Sequence, residues 1–301
     1  MSKSKKKILI TGGAGFVGTN LINFLLKNTK FNIISLDNYS SGTKKNHIKS
    51  NRVKYINGHT KDIISIMKYP QNIHSVFHFG EFARIYQSFL KMNECINSNL
   101  IGSNAVFNFC LKNNIKLIYS ATSASLGNKG NDKNLSPYAY SKAKNLEQLE
   151  IFKKFFKLKY EIIYFYNVYG PRQIEKGEMA TVIGIFENCY KNRKPLTVVK
   201  PGSQTRRFTH IEDTIKVCYE AWKNNRCLHY SISNKKEYSI LEVANMFKSK
   251  ITYLPIRLGE RYASALTNMS FNNKVYKRFG KIQLKEYINS FIKYQKNYEN
   301  R

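Results

Sequence analysis

Thr11-Gly12-Gly13-Ala14-Gly15-Phe16-Val17-Gly18 is the stretch that decides how this chain is read. It follows a short apolar run, Ile8-Leu9-Ile10, and opens into a helical pattern over Phe16–Lys27. Strand, glycine turn and helix together present backbone N–H groups and a helix N-terminus, a geometry suited to a pyrophosphate. Gly12 permits the tight turn, Gly15 lets phosphates approach the backbone, and Gly18 lets helix and strand pack closely.

Glycine-rich turns also occur as plain loops, so the surroundings matter. About twenty residues on, a second apolar run, Ile33-Ile34-Ser35-Leu36, ends in Asp37. An acidic side chain there grips the ribose hydroxyls of NAD and repels a 2′-phosphate, which favours NAD over NADP. The bland alternative is a turn followed by a solvated aspartate. Position, spacing and flanking elements all favour the dinucleotide.

Strand-like runs recur at Lys7–Ile10, Asn32–Leu36, Val53–Ile56, Ser75–Phe79, Lys116–Ser120 and Glu161–Tyr166. Helical patterns lie between them, near Phe16–Lys27, Lys61–Lys68, Asn93–Lys112 and Pro137–Lys157. Alternating β and α implies an α/β fold, a doubly wound parallel sheet covered on both faces. From about Gly170 the pattern becomes irregular, punctuated by Pro171, Pro195, Pro201 and Pro255. We expect a Rossmann domain over 1–168, re-entered by parts of 192–255, and a smaller α/β substrate-binding domain over 169–301. The substrate would sit in the cleft between them. The end of the chain, Leu284 to Tyr298, reads as a basic amphipathic helix closing the small domain.

The 301 residues carry a formal charge of +31. Such a charge raises nucleic-acid binding as a question. Lysines are spread along the whole chain, so it reads as a solvated surface that attracts anions, and no nucleic-acid partner is expected. No apolar run is long enough to span a bilayer, and the start is too short in apolar residues for a secretory signal. Cys95, Cys110, Cys189, Cys218 and Cys227 are scattered and odd in number. This argues against a disulfide framework or a zinc site and fits the cytoplasm.

Ser136-Pro137-Tyr138-Ala139-Tyr140-Ser141-Lys142 holds a Tyr-x-x-x-Lys pair on an expected helix, with both side chains on one face. An ammonium beside a phenol favours the phenolate, which can act as general base on a sugar hydroxyl. In a chain with 21 tyrosines the spacing alone could be accidental. The strand Lys116–Ser120, however, runs into Ala121-Thr122-Ser123-Ala124-Ser125-Leu126-Gly127, placing hydroxyls just past a carboxyl end of the sheet.

At this point the chain resembles an extended short-chain dehydrogenase/reductase of the NAD-dependent sugar-nucleotide epimerase/dehydratase type, over essentially its whole length. Supporting segments are Leu36-Asp37-Asn38-Tyr39-Ser40-Ser41-Gly42, Val76-Phe77-His78-Phe79-Gly80 and Asn99-Leu100-Ile101-Gly102-Ser103. Tyr164-Phe165-Tyr166-Asn167-Val168-Tyr169-Gly170-Pro171-Arg172 and Thr205-Arg206-Arg207-Phe208-Thr209-His210-Ile211-Glu212-Asp213 complete them. The resemblance implies roles. Thr122 would bridge substrate and base, Tyr138 would be the base, and Lys142 would hold the nicotinamide ribose. Gly12, Gly15, Phe16, Val17, Gly18, Asp37, Asn38, Phe79, Gly80 and Asn99 would line the NAD site. Asn167, Arg206 and Arg257 would meet the diphosphate, Glu260 the nucleotide ribose, and Ser264 the C2 substituent of the sugar. A homodimer through Asn93–Lys112 and Tyr138–Lys157 is also implied.

Dehydratases and decarboxylases of this family carry an acid just after the active-site hydroxyl, because eliminating water needs one. Here Thr122 is followed by Ser123-Ala124, which argues against dehydration. A 4-epimerase needs no such acid: its base takes the C4 hydroxyl proton while NAD takes and later returns the C4 hydride. The segment Leu36–Gly42 looks most like UDP-glucose or UDP-N-acetylglucosamine 4-epimerases. A nucleotide-sugar keto-reductase is the alternative enzyme, and a non-catalytic dinucleotide-binding module the alternative of another class. The chain departs from the family pattern at His59-Thr60, Gly80-Glu81, Leu126 and Arg207. Glu81 brings a carboxylate toward the nicotinamide edge of the cleft.

Overall fold

The computed structural model describes residues 6–126, 135–260, 269–270 and 273–299. The strands read from the sequence form β1 (Lys7–Thr11), β2 (Asn32–Asp37), β3 (Val53–Asn57), β4 (Ile73–His78), β5 (Lys116–Thr122) and β6 (Tyr160–Phe165). They belong to a nine-stranded sheet in which β3, β2, β1, β4, β5 and β6 lie side by side. His229–Ser233, Asn273–Phe279 and Met269–Ser270 follow beyond β6. All pairings are parallel except that of Met269–Ser270. The chain winds outward from β1 in one direction and resumes at β4 in the other. Between their carboxyl ends opens the crevice where doubly wound sheets bind ligands.

Alternating residues feed two cores, as the pleat requires. Leu9, Val76, Leu117, Tyr119, Ile162 and Tyr164 pack beneath the helices Ser103–Lys112 and Pro137–Phe156. Ile8, Ile10, Phe77, Ile118 and Ile163 point the other way, under α1 (Phe16–Asn28) and the helix Ile211–Lys223. A third core, built on Phe186, Val198, Phe208, Phe247 and Ile288, holds the smaller body together.

The sheet recruits more of the late chain than the sequence indicated. His229–Ser233 falls inside the expected re-entry, but Asn273–Phe279 lies well beyond it and pairs in register from His229↔Val275 to Ser233↔Phe279. Two expected helices also differ. Lys61–Lys68 is a 3-10 turn over Thr60–Asp62 and one α turn, Ile63–Ile66; Ile63 and Met67 are buried in the core and Ile66 packs against it, so burial supports little more. Asn93–Lys112 begins at Met92 and widens to a π-helix over Asn97–Gly102.

Candidate active site

The glycine turn behaves as its steric reading requires. Gly12 has φ +70°, and a Cβ there would lie 2.8 Å from the Gly80 nitrogen. A Cβ on Gly18 would lie 2.2 Å from the Gly12 carbonyl oxygen, so α1 can rest against the turn only with glycine at that position. Asp37 ends β2, 6% exposed, and its carboxylate accepts backbone N–H groups, at Oδ2 from Ala14 at 2.9 Å and at Oδ1 from Tyr39 at 2.8 Å. Burial raises its pKa from the ordinary carboxylate value, opposed by these N–H donors. A carboxylate has further acceptor capacity, which a ribose diol can use. An uncrowded helix N-terminus, a turn closed to side chains and an acid at the end of β2 fit a dinucleotide.

Thr122 is the last residue of β5. Tyr138 sits in the first turn of Pro137–Phe156, a helix started by Ser136, whose Oγ accepts from Ala139 N at 3.0 Å, with proline directly after it. Lys142 follows one turn later. Tyr138 and Lys142 are 9% and 3% exposed, and the Thr122 hydroxyl lies near enough to the Tyr138 phenol to lower its pKa. Strand end and helix start thus bring together three side chains that the sequence spreads over twenty positions.

The electrostatics differ from the simple Tyr–Lys picture. Burial pushes the Tyr138 phenol up to about 12. The Thr122 hydrogen bond and the Arg84 guanidinium pull it down, and the Glu81 charge pushes it up. Lys142 Nζ does not reach out alone: it donates to Glu81 Oε2 at 2.5 Å and to the Ser120 carbonyl. Burial depresses the Lys142 pKa, and Glu81 opposes the shift. Arg84 is a cation that sequence reading missed. Its Nη1 donates to Ala83 O at 2.7 Å and its Nη2 to Met179 O, which holds the guanidinium at the cavity wall. Nothing in a lysine- and arginine-rich sequence marks it; only its place just past β4 does.

One cavity runs from the glycine turn to the smaller body. Gly12, Gly15, Phe16, Val17, Gly18, Asp37, Asn38, Phe79, Gly80, Thr122, Tyr138, Lys142, Asn167, Arg206, Arg257 and Glu260 all lie on its wall. Asn99 does not. Its fully buried amide instead accepts from Phe82 N at 2.7 Å and donates to Phe82 O and Ser141 Oγ, stapling the loop after β4 to the helix Pro137–Phe156. Ser264 lies outside the described residues. Arg206 pairs with Glu260 at 2.6 Å, whereas Arg257 is exposed and rests over the Tyr86 ring at 5.2 Å. Asn167 Nδ2 donates to Arg207 O at 3.2 Å. Arg207, a departure from the family pattern, bonds Asn234 O and Lys235 O and pairs with Glu237 at 3.1 Å. His59 caps the turn before Ile63 and, with Thr60, borders the cavity near Asp37.

The family model of the NAD dependent epimerase/dehydratase family matches residues 8–233. The chain belongs to this family. Its cofactor is accordingly NAD. A putative UDP-glucose 4-epimerase of Methanocaldococcus jannaschii is 29% identical over 311 aligned positions, 96% of this chain and 98% of that protein. The structure of UDP-glucose 4-epimerase from Thermotoga maritima with UDP-glucose superposes with a TM-score of 0.81 at 23% identity, covering 97% of this chain and 99% of that one. UDP-N-acetylglucosamine 4-epimerase from Methanobrevibacter ruminantium M1 gives 0.81 at 23% identity, over 98% and 99%. The NAD dependent epimerase/dehydratase fold therefore extends past residue 233, through the smaller body.

Proposed function

We propose that this protein is an NAD-dependent epimerase of a nucleotide-activated sugar. It acts at C4 of UDP-glucose/galactose or their N-acetyl analogues, through a 4-keto sugar. The observation that carries the reading is the Thr122 hydroxyl acting on the Tyr138 phenol, one helical turn from Lys142 on the wall of one cavity, with no carboxylate following Thr122. Tyr138 takes the proton of the C4 hydroxyl and returns it, and Thr122 holds the hydroxyl to the phenol. Arg84 stabilises the phenolate charge that develops. NAD, when bound, supplies the acceptor for the C4 hydride.

Dehydration would need an acid at the sugar, and Glu81 does not provide one. Its carboxylate is 4% exposed and already accepts from four donors. Asn167, Arg206, Arg257 and Glu260 form the nucleotide-diphosphate end of the cleft. Guanidinium groups suit phosphate oxygens.

A homodimer through Asn93–Lys112 and Tyr138–Lys157 is supported by exposed Ile101, Ile151, Phe155 and Phe156 on these segments. Sedimentation should report two chains, and Phe155→Asp one. Five scattered free cysteines fit a reducing cytoplasm, and the epimerase reading places the protein in the supply of activated sugars for polysaccharide assembly.

The deciding experiment incubates the purified protein with UDP-, GDP-, CDP- and dTDP-sugars and follows C4 configuration by NMR. Interconversion without net absorbance change at the reduced-nicotinamide band is expected. Conversion only with added reduced nicotinamide would replace the epimerase by a keto-reductase.

A further inference from the structure

Glu81 stands directly after the β4 turn, and donors from several elements converge on it. Oε2 takes the Lys142 ammonium at 2.5 Å. Oε1 accepts from Ser103 Oγ at 2.9 Å, Tyr119 OH at 3.1 Å and Asn145 Nδ2 at 3.1 Å. Ser103 gives its single hydroxyl hydrogen to Glu81, so its Oγ accepts from His78 Nε2 at 2.9 Å. That tautomer leaves His78 Nδ1 to accept from Thr11 Oγ1 at 2.7 Å. Thr11 Oγ1 in turn accepts from the backbone N–H groups of Phe79 and Gly80. A line of donors thus runs from the end of β1 through a buried histidine to one carboxylate, and ends on the catalytic lysine.

We propose that Glu81 is a positioning residue for the reaction: its carboxylate anchors the Lys142 ammonium and adds a negative charge beside the Tyr138–Lys142 pair, so that the pair serves as a base at higher pH than it would alone. This inference rests on the epimerase reading of the same site.

The charges around the pair make the direction definite. Tyr138 faces Thr122, Glu81, Arg84 and Cys95. Lys142 faces Glu81, Cys95, the Ser120 carbonyl and the Tyr119 ring. Burial holds the Cys95 thiol up near 11 and His78 down near 4, so neither is charged at neutral pH. Arg84 and Lys142 are cations, and Glu81 supplies the negative charge among these groups. Glu81 raises the pKa of Tyr138 and that of Lys142 alike. Removing that negative charge lowers the pH at which either group loses its proton, whichever of the two releases it. The expected shift therefore does not depend on assigning that proton.

The test uses the NAD-loaded enzyme and compares wild type with Glu81→Gln and Glu81→Asp. Two quantities are followed against pH: kcat/KM for UDP-glucose or UDP-N-acetylglucosamine, and the [13Cζ]tyrosine resonance of Tyr138, assigned with Tyr138→Phe. In Glu81→Gln, both the acid limb of kcat/KM and the resonance midpoint should move down by about one pH unit. At fixed pH on that limb this is roughly a tenfold rise. KM should stay within about twofold, and Glu81→Asp, which keeps the charge, should stay with wild type. A rate lowered at every pH with both midpoints unmoved, or midpoints that rise, overturns the proposal. If wild type converts neither sugar the epimerase reading fails, and the resonance titration still decides the role of Glu81. Should Glu81→Gln not fold, the same titration of Glu81→Ala decides it.

Discussion

Arg206 Nη2 lies 2.6 Å from Glu260 Oε1, an ion pair that ties the strand Thr205–Arg207 to the segment just after Arg257. The pair is mostly buried and borders the nucleotide end of the cavity. Replacing Arg206 by Gln should remove a charged diphosphate contact and leave Glu260 without its cation. We expect KM for the nucleotide sugar to rise by roughly 30- to 1,000-fold, about 2–4 kcal/mol, with a smaller change in kcat. Steady-state kinetics checks this; an unchanged KM would remove Arg206 from the diphosphate site.

Tyr138 and Thr122 meet through their hydroxyls. Tyr138→Phe keeps the ring, which is 9% exposed, and deletes the hydroxyl that we propose moves the proton. It should fold as wild type and lose about 10²- to 10⁴-fold in kcat. Thr122→Ala should lose less, and the double variant should lose little more than Tyr138→Phe, because the two hydroxyls act as a unit. Additive losses in such a cycle would separate their roles.

Gly18 carries a purely steric constraint. A Cβ would sit 2.2 Å from Gly12 O and 2.7 Å from the Gly13 Cα, and both are backbone atoms that cannot swing aside. Gly18→Ala should displace α1 from the turn, cost on the order of 3 kcal/mol of stability, and abolish NAD retention on purification. Denaturant melts and absorbance of released nucleotide report the two effects separately.

His78 makes stability depend on pH. It is fully buried, held by Thr11 and Ser103, and its pKa falls from the ordinary 6.5 to about 4, mainly through burial. A depressed folded-state pKa means that the unfolded chain binds the proton more readily. The contribution is therefore whole above pH 6.5 and is lost as pH falls toward 4, by roughly 3 kcal/mol. Urea midpoints should drop over this window in wild type, and less steeply in His78→Asn. Parallel slopes would show that His78 titrates normally.

What the sequence by itself determined was the run of six strands from β3 to β6 and the local geometry at its carboxyl ends. Strand, glycine turn and helix are local, their spacing is set by sterics, and Gly12, Gly18 and Asp37 could be read from neighbours in the chain. The Tyr138–Lys142 spacing was likewise visible, since one helical turn fixes it. Only the tertiary structure decided that Asn273–Phe279 joins the sheet, because a parallel strand is defined by a partner far away in sequence. It also decided where Asn99 and Arg84 go. Asn99 looks like a cavity residue by motif and is instead a buried staple; Arg84 looks like one cation among many and its charge acts on the Tyr138 phenol. The balance of charge at Tyr138 was illegible for the same reason. An ammonium in the right register favours a phenolate, but whether it does so here depends on Glu81, which lies 61 positions from Lys142 in the chain and 2.5 Å from it in space.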